Sequence, residues 1–157
     1  MKAFVYHIQV NVRAAAVSLP FYRDLLQYLE FRCVHDDPRV AGYSDGRTSI
    51  WLIETAGGHT APGFHRKRTG LNHIAFRVPH RTDVDRVTEE FLAPRGLVPL
   101  YTTPREFPEY RPGYYAVFFE DPDRLKLEVV HIPEPTATRA GESREPNDPD
   151  WDLRGAP

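Results

Sequence analysis

The sequence contains an internal repeat that covers most of its length. Residues 4–12 read FVYHIQVNV and residues 71–79 read LNHIAFRVP, so each segment has alternating apolar residues and a histidine followed by isoleucine. The two histidines, His7 and His73, are 66 residues apart, and each strand pattern is followed at the same distance by apolar residues at helical spacing. A repeat of this length indicates two copies of one supersecondary unit.

Each copy is predicted to fold as a βαβββ module. The predicted strands and helices are the strand 4–12, a helix at about 16–28 and strands near 29–35, 39–44 and 48–55, then the strand 71–79, a helix from about 83 and strands near 97–103, 113–120 and 124–131. The fold class is therefore α+β. Modules 1–55 and 71–132 are joined by a linker at 56–70, and together they form one predicted domain, 1–132.

The segment 133–157 differs in kind from the two modules. It contains five of the 15 prolines and lacks Val, Ile and Phe, so it cannot bury enough apolar surface to offset the entropy of ordering. We expect it to be disordered or to dock on a partner chain through Trp151.

The overall composition excludes several classes of partner and compartment. The 20 basic and 22 acidic residues nearly balance, so nucleic-acid binding is not expected. No apolar run approaches a membrane span, and the first residues lack the apolar core of a signal peptide. Cys33 is the one cysteine, so an internal disulfide cannot form. These features favour a cytoplasmic protein without a membrane partner.

Three of the predicted strands carry a ligand-type residue on one face. Side chains alternate between the faces of a strand, so each of these strands has an apolar face for helix packing and a mixed face. His7, His73 and Glu128 lie on the mixed faces of their strands. If these faces curve around one cavity, the three side chains can converge.

Two imidazoles and one carboxylate form a typical ligand set for one divalent transition metal. Nitrogen and oxygen donors suit Mn, Fe, Zn, Ni or Co, and three protein ligands leave coordination positions for water or substrate. The sequence therefore predicts one metal ion held by His7, His73 and Glu128.

Three motifs give the chain a resemblance to a known family. FYRDLL (21–26), NHIAF (72–76) and FFEDPDRLKLE (118–128) are similar to segments of the vicinal oxygen chelate superfamily, which includes glyoxalase I, fosfomycin-resistance proteins, methylmalonyl-CoA epimerase, extradiol dioxygenases and bleomycin-binding proteins. The resemblance covers residues 4–132. It implies that the paired modules form a U-shaped mixed sheet around a central cavity, and its metal-ligand positions match the three residues selected above.

The chain also departs from the patterns of the subfamilies. Many members have a fourth ligand on the last strand of the first module, where apolar alignment places Trp51; a slipped register would instead place Glu54 there. Three ligands and a tryptophan look more like the fosfomycin-resistance group, yet the tyrosine that this group carries ten residues before its glutamate is Phe118 here. In the usual DPDG turn, Arg124 replaces glycine.

The resemblance implies a metal-dependent lyase, isomerase or thiol transferase. Such an enzyme would act on a small oxygenated substrate, including an anionic one, by bidentate metal chelation. Two alternatives remain open: a non-catalytic drug- or metabolite-binding (resistance) protein, and an Fe(II) extradiol-type dioxygenase. The sequence identifies no general base, although Tyr114, Tyr115, Glu106 and Glu109 are expected near the cavity mouth.

The expected ligand pocket combines polar and apolar groups. Its predicted substrate-binding residues share the mixed faces or line the apolar wall, and they are Gln9, Trp51, Arg77, Phe118 and Lys126. Cationic side chains and an aromatic wall suit an anionic small molecule with two adjacent oxygens. Exposed sheet edges and the family resemblance predict a two-fold homodimer.

Overall fold

The structure is a computed structural model that describes residues 1–134. The predicted docking of Trp151 lies outside this range. The first module consists of β1 (His7–Val12), α1 (Ala15–Tyr28), β2 (Arg32–Asp36), β3 (Val40–Ser44) and β4 (Ser49–Glu54). The second consists of β5 (His73–Val78), α2 (Arg81–Arg86), β6 (Leu100–Glu106), β7 (Tyr115–Glu120) and β8 (Lys126–His131). The prediction of two tandem βαβββ modules is confirmed.

The helical segment of the second module, residues 81–95, is less regular than α1. After α2 the helical path continues through a π-helical segment, Val87–Leu92, and a 3-10 turn, Ala93–Arg95. It ends at Gly96, whose φ of 64° is the left-handed conformation that glycine adopts most readily. No helix within residues 1–134 is long and apolar enough to cross a membrane.

The eight strands form two four-stranded mixed sheets. Their strand orders are β1-β4-β3-β2 and β5-β8-β7-β6, and the outer strands β1 and β5 pair in parallel with β4 and β8. The same topology in both sheets confirms that the modules are structural repeats. Within the described part of the chain, no ladder joins one sheet to the other.

One apolar core lies between the two sheets and contains both helices. Alternate strand residues enter this core, among them Val12, Ala41, Tyr43, Ile50 and Leu52 from the first sheet and Ile74, Phe76, Val117, Phe119, Leu127 and Val129 from the second. The helices meet through aromatic rings, because the Phe91 ring centroid lies 6.3 Å from that of Phe21 and 5.6 Å from that of Tyr28. The two modules are therefore packed through their helices.

The mixed faces of both sheets consequently point away from the shared core. His7, Gln9 and Asn11 are exposed on the outer face of the first sheet. Glu128 lies on the outer face of the second sheet, where a smaller apolar cluster includes Phe118 and Val130. The space between the two sheets of one chain is filled by helices, so it does not form the ligand cavity.

A buried turn ties α1 to the second module. The carboxylate of Asp121 accepts hydrogen bonds from the Tyr22 hydroxyl at 2.6 Å and from the backbone N–H groups of Asp123 and Leu125. The Ser18 hydroxyl of α1 donates to the Asp123 carboxylate at 2.9 Å. Burial outweighs the hydrogen bonds and raises the pKa of Asp121 to about 6.

Asp121→Asn should flatten the dependence of stability on pH. The folded-state pKa lies above that of an unfolded aspartate, so the carboxyl contributes full stability below about pH 4 and loses it as pH rises through about 6. Between pH 4 and 7 the free energy of unfolding of the unmodified protein should fall by roughly 2–3 kcal/mol more than that of the variant. Urea denaturation at four pH values measures this difference. Parallel pH profiles would show that Asp121 is not the titrating group.

Candidate functional site

The centre of the candidate site is a buried carboxylate paired with an imidazole. Glu128 on β8 is 1% exposed, and its Oε2 atom lies 3.2 Å from Nε2 of His73 on β5. The parallel register of β5 and β8, in which Ala75 pairs with Glu128, places the two side chains on the same face. A carboxylate removed from water requires such partners, because its unpaired burial is costly.

Two further side chains hold this pair in place. The Tyr114 hydroxyl donates a hydrogen bond to Oε1 of Glu128. Asn72 contacts Nδ1 of His73 at 2.9 Å, and its amide also donates to the carbonyl of Arg66 in the linker at 3.0 Å. Burial and the neighbouring Glu128 raise the pKa of Tyr114. The hydroxyl therefore stays protonated and acts as a donor to Glu128.

The geometry of the His73–Glu128 pair fits two ligands of one metal ion. Nitrogen and oxygen ligands at about 2.1 Å from an ion, in tetrahedral or octahedral arrangement, lie roughly 3.0–3.4 Å apart. The observed separation of Nε2 and Oε2 is 3.2 Å. Because Tyr114 holds Oε1, the Oε2 atom is the one directed at the imidazole.

The outer face of the first sheet carries the other predicted ligand. His7 is exposed on the edge strand β1. On the neighbouring strand β4, the Trp51 indole lies flat over Gly42, where an added Cβ would come within 3.0 Å of the ring. Gln9 pairs with Trp51 in register, and the His35 ring centroid lies 5.7 Å from that of Trp51. This face therefore presents a histidine beside a flat aromatic surface.

The structure does not bring the three predicted ligands together in one chain. Within residues 1–134, no group of three His, Cys, Asp or Glu side chains is close enough to hold a metal ion. His73 and Glu128 meet, whereas His7 lies on the other sheet. The physical reason is the packing of the helices between the sheets, which turns the two mixed faces away from each other. The expected convergence in one cavity is thus not observed within a single chain.

The alternative ligand Glu54 has a structural role instead. Its carboxylate accepts hydrogen bonds from the Ala15 backbone N–H at 3.1 Å and from Arg39 at 2.6 Å. These two donors lower the pKa of Glu54 and stabilise the start of α1. Trp51 occupies the outward position on β4, so the slipped register is not observed.

The predicted substrate-binding residues divide between the two outer faces. Gln9 and Trp51 lie on the first face. Phe118 and Lys126 lie on the second, where Phe118 pairs with Glu128 in register and Lys126 pairs with His73. Arg77 is engaged elsewhere, because its guanidinium donates to the Ile132 carbonyl at 2.8 Å and to the Glu134 carboxylate at 2.6 Å.

Tyr114 alone among the four mouth residues contacts the His73–Glu128 pair. The other three have different partners: Tyr115 donates to Asp85, Glu106 pairs with Arg81, and Glu109 lies 3.5 Å from Arg105. Strand alternation could have predicted the side of the sheet on which Tyr114 lies, since Tyr114 is four residues before Phe118 and would share its face of the sheet. What the pattern could not show is that a residue before the strand reaches Glu128.

The chain matches known proteins over nearly all of the described region. The sequence profile of the Glyoxalase/Bleomycin resistance protein/Dioxygenase superfamily matches residues 5–129. The uncharacterized protein YqjT of Bacillus subtilis (strain 168) is 32% identical over 126 residues, which cover 80% of this chain and 97% of that protein.

Solved structures show the same similarity. A candidate glyoxalase from Bacillus halodurans is 37% identical, with a TM-score of 0.76 over 83% of this chain and 97% of that one. A glyoxylase/bleomycin resistance protein/dioxygenase domain from Frankia sp. EAN1pec is 29% identical, with a TM-score of 0.65 over 87% and 96% of the two chains. The lactoylglutathione lyase of Agrobacterium tumefaciens, at 18% identity and a TM-score of 0.59 over 83% and 94%, shares the fold alone.

Tyr114→Phe should weaken metal binding at the His73–Glu128 pair. Loss of the hydroxyl frees the Glu128 carboxylate to rotate, and loss of a hydrogen bond that orients a metal ligand costs roughly 10- to 100-fold in metal affinity. Competition titration with zinc and a chromogenic chelator measures the effect. Tyr115→Phe is the matched control, because it removes the neighbouring tyrosine hydroxyl, which donates to Asp85 on the core-facing side of β7. Equal metal affinities of the two variants would show that Tyr114 does not position Glu128.

Proposed function

Because the chain belongs to the glyoxalase/bleomycin resistance protein/dioxygenase superfamily, we propose that it is a divalent-metal-dependent enzyme of the lyase, isomerase or thiol-transferase type. Its substrate is a small oxygenated molecule. The observation that carries this proposal is the buried pair of His73 and Glu128, whose ligand atoms lie 3.2 Å apart on an outward sheet face. A buried carboxylate directed at an imidazole has no packing role that an apolar residue could not fill with less cost.

The proposed metal site is completed by a second copy of the chain. His73 and Glu128 of one copy supply two ligands, and His7 of the other copy supplies the third. Support comes from the outward direction of both mixed faces, each of which carries an incomplete ligand set. The segment before His7 adds exposed Phe4, Val5 and Tyr6, an apolar surface suited to contact with another chain.

In a two-fold dimer, two such sites form, each with His73 and Glu128 of one copy and His7 of the other. Under two-fold symmetry, the first-module face of each copy meets the second-module face of the other, which yields two identical sites. Both sites lie between sheets, so the ligand cavity expected from the sequence forms between chains rather than within one.

The residues of the chain have distinct roles in the proposed site. The metal, when bound, would polarise two neighbouring substrate oxygens and stabilise negative charge on them. Glu128 supplies the one anionic ligand, and Tyr114 and Asn72 fix the orientations of Glu128 and His73. Trp51 and Phe118 supply apolar walls that hold the carbon part of the substrate and exclude water.

A non-catalytic ligand-binding protein is the second candidate. The observation that favours it is that only two of the ligands meet within residues 1–134 of one chain. The two candidates differ in metal content, because a binding protein without a third ligand should purify with little metal. Elemental analysis of the purified protein for Mn, Fe, Co, Ni and Zn distinguishes them directly.

A mixed dimer tests the shared site. His7→Ala and Glu128→Gln chains should each form dimers that bind metal at least tenfold more weakly than the unmodified protein, since every site loses one ligand. A dimer of one His7→Ala chain with one Glu128→Gln chain should regain one full-affinity site. That site combines His7 of the Glu128→Gln chain with His73 and Glu128 of the His7→Ala chain. Two affinity tags isolate the mixed dimer, and isothermal titration counts its sites.

A mixed dimer that does not regain a full-affinity site would contradict the shared arrangement. If all three ligands came from one chain, both sites of the mixed dimer would remain defective. A third variant, His59→Ala, changes a linker histidine outside the ligand set and serves as the control for metal content.

A further inference from the structure

Among the described residues, the cationic side chains around the His73–Glu128 pair differ in whether they form salt bridges. Arg66 pairs with Glu120 at 2.6 Å, and both side chains are largely covered. At the far end of β5, Arg77 pairs with Glu134 at 2.6 Å. These contacts neutralise two of the cations close to the outer face of the second sheet.

Lys126 differs from both arginines. No carboxylate within residues 1–134 lies at salt-bridge distance from its Nζ atom, because its cross-strand neighbour Glu120 is held by Arg66 and Arg124. Its ammonium group lies 5.2 Å from the Phe118 ring centroid and 5.8 Å from that of Tyr101. Within residues 1–134, Lys126 is thus a half-buried cation that two aromatic rings flank and that forms no salt bridge.

The position of Lys126 places it beside the proposed metal ligands. It pairs with His73 in the register of β5 and β8, and it precedes Glu128 by two residues on the same face of β8. Neighbouring strands of a sheet lie only about 4.8 Å apart. A ligand that reaches His73 and Glu128 is therefore within reach of the ammonium group.

The backbone of β6 is distorted where it places one of the aromatic rings. Tyr101 and Thr102 have φ values of 58° and 55°, in the left-handed region that non-glycine residues rarely adopt. The irregularity lies between Leu100 and Arg105, and Thr103 supports it, since its hydroxyl donates to the Leu100 carbonyl at 2.7 Å and accepts from the Phe118 N–H at 3.1 Å. Bulges of this kind redirect side chains at binding sites.

The balance of charge shows what kind of ligand the site would accept. Once the paired cations are set aside, the face carries the negative Glu128 and the positive Lys126, which cancel. A divalent ion would then leave two positive charges in a partly covered site. Such a site favours a ligand with two negative charges, and two adjacent chelating oxygens usually supply no more than one at neutral pH.

We infer that Lys126 anchors an oxyanionic group, a carboxylate or a phosphonate, attached close to the two chelating oxygens of the substrate. This inference rests on the proposed metal-dependent function and defines the substrate class of that site. The rings of Tyr101 and Phe118 lie within cation–π distance of the ammonium group, which favours its position on the face that carries His73 and Glu128. Lys126, rather than Arg77, is then the residue that selects for the anion.

Hydroxamates that share one chelating head test this inference. Acetohydroxamate binds a metal through two adjacent oxygens, malonomonohydroxamate adds a carboxylate, and phosphonoacetohydroxamate adds a phosphonate. Binding of each to the cobalt-loaded dimer is followed by the visible spectrum of the metal. The unmodified protein should bind one or both anionic probes about tenfold or more tightly than acetohydroxamate, as expected for one charge-assisted contact. The stronger of the two anionic probes identifies the group that the site prefers.

Three variants locate the anchor. Lys126→Met keeps the length of the side chain and should remove the preference for the anionic probe while leaving the affinity for acetohydroxamate within about twofold. Lys126→Arg should retain most of the preference, since the charge remains. Arg77→Met is the matched control, because its partners are Glu134 and the Ile132 carbonyl, and it should retain the full preference.

The outcomes separate two kinds of failure. An unchanged preference in Lys126→Met, or a preference lost in Arg77→Met, would overturn the assignment of Lys126 while acetohydroxamate still bound the metal. Absence of metal binding, or of acetohydroxamate binding to the loaded protein, would overturn the proposed function, and the role of Lys126 with it.

Discussion

The packing of the two helices against each other determines the arrangement of the whole molecule. Phe91 contacts Phe21 and Tyr28, so both helices lie between the sheets and the apolar face of each sheet turns inward. The polar residues of both sheets must then face outward, because their strands alternate with period two. A chain packed in this way cannot enclose a cavity between its own mixed faces. The predicted ligands His7, His73 and Glu128 are therefore divided between two outer faces.

The buried Glu128 gives the second outer face its chemical character. Its two oxygens have different partners. The Tyr114 hydroxyl binds Oε1, so Oε2 is the oxygen that lies beside Nε2 of His73, where one ion could contact both atoms. Lys126 adds a positive charge on the same face, flanked by aromatic rings. A carboxylate, an imidazole and an ammonium group on one partly covered face are costly to bury, and a bound metal with an anionic ligand would satisfy all three. This is why we regard the face as a binding site rather than as part of the packing.

The sequence predicted the local structure well because local periodicity determines it. Strand alternation assigned His7, His73 and Glu128 to mixed faces, and the repeat predicted both modules. The sequence could not predict the packing of one module on the other. The same apolar faces can be buried whether the two mixed faces line a cavity within one chain or point outward. The partners of Glu54 and Arg77 also depend on tertiary contacts, with the start of α1 and with Glu134. The replacement of glycine by Arg124 is a structural change, because this residue keeps the left-handed φ of 71° that the turn requires.

A crystal structure of the metal-loaded dimer, with anomalous scattering recorded at the absorption edge of the metal, tests the shared site most directly. We expect one anomalous peak per chain, at about 2.0–2.3 Å from His73 Nε2 and Glu128 Oε2 and at the same distance from a ring nitrogen of His7 in the other copy. Three ligands from a single chain, or a peak away from the His73–Glu128 pair, would contradict the division of the site between two chains.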